Sequence, residues 1–271
     1  MCAACEDARR PCAHHPETPL RMLVIGHNPS EHSWASGWSY SNPSNNFWRL
    51  LVKGAIVPED WSAEDCPRLP GELGVGFTDA GCVPGSDAAR FGRATMREWR
   101  ADLYARLRGH LCRASGYDFG DGDEDTEDAV PVPGDTVPVP GDDSAAAAAA
   151  AARGYGPAIV AFAGKRQYGQ LFDAVPSSVR AGRQDSNSLP PGWPFCPEST
   201  EVWVLPSSSG RAAMTREARE GPYVELGRRL AESRWPRDDV HVGEGVGGER
   251  ASRGDETNRR RGDDDASRCG G

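Results

Sequence analysis

Four short apolar runs constrain this chain more than anything else in it: "RMLVIG" (21–26), "VGFTDA" (75–80), "AIVAFAG" (158–164) and "VWVLPS" (202–207). Each is too short for a core helix, is nearly continuous in apolar residues, and stops at a small or turn-forming residue. That is the pattern of a strand buried on both faces, as in a parallel sheet. Helical patterns lie between the runs. Ser44–Gly54 opens on a serine suited to capping, and Asp87–Arg113 carries Trp99, Leu103, Leu107 and Leu111 at helical steps. Lys165–Val175 reads as a short helix and Thr215–Ser233 as a longer one. Strands alternating with helices predict an α/β fold: a three-layer αβα sandwich around a short, mostly parallel four-stranded sheet.

Residues 116–152 interrupt the alternation with an acidic run, a doubled "PVPGD" and an alanine tract from Ala145 to Ala152. No core can be built from such residues, so the segment is expected to be a disordered insertion between a helix and the next strand. Residues 1–20 are expected to form a disordered leader and 236–271 a disordered polar tail, leaving one domain over 21–235. Cys2, Cys5, Cys12, His14 and His15 of the leader are of metal-ligating type but lie too close together for a folded zinc knuckle, and a disordered leader is the preferred reading. The net charge of −9 is concentrated in the insertion and the tail. Residues 116–152 hold ten acidic residues and no Lys or Arg, and the tail from Pro236 has nine acidic and seven basic, leaving 21 acidic against 24 basic. A near-neutral to slightly basic domain is compatible with a phosphate backbone as partner. The five of the eight cysteines that lie beyond residue 12 are scattered, the first twenty residues hold no apolar run, and no stretch is apolar enough to span a membrane. Reduced thiols, no membrane association and a nuclear location (cytosolic in a prokaryote) are the expectations.

In an open parallel sheet ligands bind beyond the carboxyl ends of the strands. Two unusual segments fall there: "HNPSEHSWASGWSYSNPSNNFW" (27–48) after the first run and "SSSGRAAM" (207–214) after the last. "GHNPS" (26–30) followed by Gly37, Tyr40, Pro43, Asn45 and "FW" (47–48) resembles the first motif of the mismatch-specific uracil-DNA and thymine-DNA glycosylases. "PSSSGRAA" (206–213) resembles their second motif, a DNA-intercalating loop, and "GVGFTD" (74–79) and "AFAGK" (161–165) match internal segments in order and spacing. The resemblance covers about 21–113 and 157–230.

The chemistry it implies is cleavage of a pyrimidine's glycosidic bond on a base flipped from the duplex, which needs a held water and stabilisation of the departing base. Asn28 follows a strand and precedes Pro29, so its amide is expected to project into the cleft; the resemblance makes it the water-positioning residue, and turn capping is its plainer role. By the same resemblance Tyr40 is the floor on which the base stacks, a contact worth roughly 1–3 kcal/mol, against ordinary core packing. Asn45 either bonds the base edge or caps the following helix. Phe47 and Trp48 are read as core. His27 stands where many relatives have an apolar residue and Ser30 where many have glycine; both are placed at the base pocket, with a tuning or structural role preferred for His27. Ser207, Ser208, Ser209 and Gly210 are expected to bring backbone amides close to phosphates. Arg211 stands where thymine-type relatives carry an arginine wedge, its plainer role being a surface cation. Ala163 replaces an asparagine frequent in thymine-type relatives, which weakens any expectation of activity on oxidised 5-methylcytosine. Thr78 and Asp79 close a strand near the pocket rim, where a second carboxylate beside Asn28 could act as base; nothing in the sequence places Asp79 within reach, and it is read as a turn residue.

The resemblance therefore implies a monofunctional glycosylase releasing uracil, with thymine or small pyrimidine adducts as further substrates, from G·U or G·T mismatches in double-stranded DNA. No pocket lysine is expected to form a Schiff base. No cofactor or metal is expected, the spaced glycines of a dinucleotide site being missing after the first run, and a monomer is expected. The alternative is a mismatch-binding protein of the same fold with little or no turnover; a hydrolase of another substrate is a third.

Overall fold

A computed structural model of the chain describes residues 19–115 and 155–237. The expected acidic and alanine-rich insertion, most of the leader and its Cys/His group, and the tail beyond 237 lie outside the described residues.

The four apolar runs form strands β1 (Met22–Gly26), β2 (Val75–Asp79), β3 (Ile159–Phe162) and β5 (Glu201–Val204), all parallel to one another. With β4 (Gly182–Arg183) the sheet has five strands rather than the expected four, in the order β2-β1-β3-β5-β4. The added strand pairs antiparallel with β5 at the sheet edge. A strand of two residues has no room for an alternating pattern, so no periodicity marks it in the sequence.

Side chains on a strand alternate between faces, and here both faces are buried. Met22 and Val24 of β1 join Ile159, Ala161 and Trp203 against α2 (Phe47–Lys53) and α6 (Arg216–Ala231). Leu23 and Ile25 join Val160, Phe162, Val202 and Val204 against α4 (Arg93–Ser115) and the residues around α5 (Lys165–Gly169). The helix positions read from the sequence hold: Leu103, Leu107 and Leu111 of α4 are buried, with Trp99. Helix α4 begins later than the expected Asp87, because Asp87 instead caps a short 3-10 turn over Ala88–Arg90. Two short helices join the layers: α1 (Glu31–Ser36), capped by the Ser30 side chain, and α3 (Leu69–Leu73).

Register fixes where the strands end. Met22 pairs with both Val75 and Ile159, so Gly26 lies opposite Asp79 and Ile25 opposite Phe162, and the loops after β1, β2 and β3 emerge at one edge of the sheet.

Helices α2 and α6 meet backbone to backbone. A Cβ added at Gly227 would lie 1.7 Å from the Gly54 carbonyl oxygen, and one at Gly54 would lie 2.5 Å from the Tyr223 carbonyl oxygen. Neither position has room for a methyl group. Gly227→Ala must separate the helices that cover one face of the sheet, and overpacking of this kind costs roughly 1–3 kcal/mol. Chemical denaturation should show that loss; an unchanged midpoint would contradict so close a crossing.

Candidate functional site

Gly26 and Asp79 are lateral partners at the ends of β1 and β2, so their side-chain directions fall on the same sheet face, that of Val24, Phe77 and α2. Gly26 contributes no side chain, and its neighbours occupy the space. A Cβ there would lie 1.9 Å from Asp79 Oδ1 and 2.6 Å from the Tyr40 hydroxyl oxygen. The glycine lets a carboxyl and a phenol converge over the end of the central strand.

Tyr40 takes a left-handed backbone conformation, φ 57°. For a bulky residue this costs on the order of 1–3 kcal/mol and persists only where the surroundings enforce it. One ring face stacks on Phe47, centroids 3.8 Å apart, with Phe77 edge-on at 6.0 Å. The hydroxyl is buried and meets no hydrogen-bond partner among the described residues. Burial, with Asp79 beside it, pushes the phenol well above its ordinary range, so it stays neutral. Burial likewise pushes the Asp79 carboxyl up to about 7, against the opposing charge of Arg106. The Arg106 guanidinium is spent on the backbone carbonyls of Asp79 and Ala80 (2.6 and 3.2 Å) and leaves the carboxyl itself unbridged.

These groups border a pocket of about 120 Å³ beyond β1 and β2, whose lining includes Asn28, Ser30, Trp38, Tyr40, Asn45 and Asp79, with Cys66, Val75 and Phe77 on its apolar side. A cavity of about 150 Å³ takes up a benzene-sized molecule, so this one is scaled to a single six-membered ring. Trp38, Tyr40 and Asn45 also line an adjoining, more open groove.

The Asn28 amide is firmly oriented. Its Nδ2 donates to the carbonyls of Val83 and Gly85 (both 3.0 Å) and Pro29 (3.1 Å), while Oδ1 lies 2.7 Å from His27 Nδ1. An amide oxygen is only an acceptor, so His27 must carry its proton on Nδ1. Burial lowers the His27 pKa and favours that neutral ring. One lone pair of Asn28 Oδ1 remains for another donor. His27 itself does not line the pocket, contrary to the expectation of base contact: it packs against Phe91 and Trp99 and braces Asn28 from behind.

Ser30 borders the pocket, but its oxygen accepts from Ser33 N at 3.0 Å as the cap of α1. Asn45 Oδ1 accepts from Phe47 N (2.9 Å) at the start of α2, and the residue also lines the pocket. Phe47 and Trp48 are core, as expected.

The second segment meets the first. Asn45 and Ser209 form an isolated antiparallel bridge, and Asn46 N donates to the Ser208 carbonyl at 2.9 Å. A Cβ at Gly210 would lie 2.7 Å from the Ser44 carbonyl oxygen, so only glycine permits this approach. Ser207 and Ser209 accept backbone N–H groups of their own turn, and Ser208 is buried. Arg211 is exposed and reaches across to the Ser86 carbonyl at 3.2 Å, in the loop that holds Asn28. Ser207–Arg211 thus border the mouth without lining the pocket.

No family model matches the chain. Among the described residues no group of three or more His, Cys, Asp or Glu is placed to hold a metal ion, and no helix is long and apolar enough to cross a membrane.

Asp79, read from the sequence as a turn residue near the pocket rim, lines the pocket. Pairing the ends of the two parallel strands is the signal that finds it. Gly26→Ala should force Asp79 and Tyr40 off the strand end at a cost of roughly 1–3 kcal/mol. A lowered thermal midpoint, with a changed near-ultraviolet signal from the Tyr40–Phe47 stack, is the expected result; wild-type values for both would contradict this packing.

Proposed function

We propose that this chain is a monofunctional DNA glycosylase of the uracil-DNA glycosylase type, hydrolysing the glycosidic bond of uracil mispaired with guanine in duplex DNA. The observation that carries the reading is a ring-sized pocket at the end of the central strand, walled by Asn28, Tyr40 and Asn45, with the Ser207–Arg211 loop bridged to its edge.

A base turned out of the stack enters the pocket and lies on the face of Tyr40 not covered by Phe47. Stacking there offsets the cost of unpairing, which is smallest for a mismatched base. The free lone pair of Asn28 Oδ1 accepts a hydrogen of the attacking water, and His27 fixes the direction of that lone pair. An amide orients water without deprotonating it, so the reaction relies on the quality of the departing pyrimidine anion and on its stabilisation in the pocket. Arg211 takes the space vacated in the duplex, and the Ser207–Gly210 turn lies against the backbone beside it. Thymine, with one methyl group more than uracil, is a closer fit for the pocket than any purine.

A mismatch-binding protein with little turnover is the second reading, favoured by the number of protein partners that Asn28 already has. Single-turnover base release from a G·U duplex separates the two. The wild type should release free uracil. Asn28→Ala should lose roughly 100-fold or more of that rate, the low end of what a positioned proton-handling group contributes, while holding the duplex about as tightly. Binding by both proteins with release by neither would establish the binding reading, and failure to bind any duplex would overturn both.

A further inference from the structure

Away from the base pocket, a second depression of about 360 Å³ lies between α2 and α6. Its walls carry Arg49 and Lys53 from α2 and Arg216 and Arg219 from α6, against one carboxylate, Glu220. Lys53 follows Arg49 by four residues and Arg219 follows Arg216 by three, spacings that put side chains on one helix face. The close crossing of the two helices at Gly54 and Gly227 sets these faces around a common opening.

Glu220 is already matched, its Oε1 lying 2.8 Å from Arg216 Nε. Arg49, Lys53 and Arg219 have no carboxylate partner among the described residues. Arg219 is tethered: one Nη donates to the Ala212 carbonyl at 2.6 Å. Its Nε is buried and has no hydrogen-bond partner among the described residues. Three cations around one concave site repel one another, and an anion between them reverses the sign of that interaction. The planar guanidinium fork matches the oxygens of a phosphate.

Position tells which anion. Asn46 lines this depression, and Asn45, the residue before it, lines the base pocket. The same two residues are joined to Ser208 and Ser209, so the paired segments stand between the two depressions. Met214 and the Ala212 carbonyl belong to the segment that leaves Arg211. A duplex with a base in the pocket and Arg211 in the gap continues past this loop, and each of its strands carries a charge about every 3.4 Å.

We propose that the depression between α2 and α6 seats a phosphate of the duplex backbone outside the flipped nucleotide, held by Arg49, Lys53 and Arg219. This rests on the duplex binding in the proposed function and adds to it an anchor away from the base. Phosphate contacts set register and orientation without reading sequence, so the choice of base stays with the pocket. Arg219 holds the Ala212 carbonyl as well, so a seated phosphate steadies the segment that carries Arg211.

The test is equilibrium binding of a G·U duplex, and of the same duplex fully paired, between about 50 and about 200 mM salt. The proteins are the wild type, the double variant Arg49→Ala with Lys53→Ala, and Arg228→Ala. All three replaced side chains are exposed, and thermal midpoints check that the variants fold. Each phosphate contact adds about −0.9 to the slope of log affinity against log salt, roughly a 3.5-fold change over this range. The double variant should bind both duplexes more weakly at low salt, with a slope shallower by about 0.9. Arg228, further along α6 and outside the depression, should be replaceable with the wild-type slope kept. An unchanged slope in the double variant would overturn the proposal. So would an equal change in Arg228→Ala, which marks a general field rather than a seat, or a loss confined to the G·U duplex, which marks base recognition. Stabilisation of the wild type by inorganic phosphate, lost in the double variant while the duplex slope stays the same, would make this a small-anion site and overturn the duplex assignment. Uracil release with an unchanged slope removes this proposal alone. A wild type that binds neither duplex removes the proposed function and this seat with it.

Discussion

Strand β1 is buried on both faces and hydrogen-bonded along both edges, by β2 on one side and β3 on the other. It has no freedom to shift, and every group at the site is positioned relative to its end. Gly26 leaves a gap there which Asp79 and Tyr40 fill. The next residues, His27 and Asn28, start the loop whose amide is pinned by Val83 and Gly85. A pocket built on the most constrained strand inherits that strand's rigidity, as a site that must hold a water and a ring in fixed relation requires.

The sequence made the layers legible because burial of both strand faces leaves uninterrupted apolar runs, and α4 presents one apolar stripe. It hid β4, whose two residues contribute two backbone pairings and no pattern. It placed Asn28, Tyr40 and Asn45 together, since they follow one strand in one segment. It did not show that His27 faces away from the pocket or that Asp79 reaches into it, for a shared reason: both depend on neighbours distant in sequence. His27 turns from the pocket because Phe91 and Trp99, distant in sequence, supply an aromatic seat. Asp79 reaches the pocket because the partner opposite it has no side chain. Sequence periodicity reports which face a residue occupies, not what stands beside it on the next strand.

Asn28 and Asp79 are complementary in kind. The amide has no titration in the working range of pH, and its direction is set by three backbone carbonyls and an imidazole. The carboxyl has few protein partners, and its character changes with its proton. In the proposed mechanism the amide fixes geometry, and Tyr40 beside the carboxyl is held in a conformation that a tyrosine adopts only under constraint.

The bridge between Asn45 and Ser209, with the close passage of Gly210 over Ser44, joins two loops separated by most of the domain's length. They cannot be displaced independently. The segment that carries Arg211 on the outer surface is thereby continuous, through one backbone bridge at Ser209, with Asn45 in the wall of the pocket and the first turn of α2.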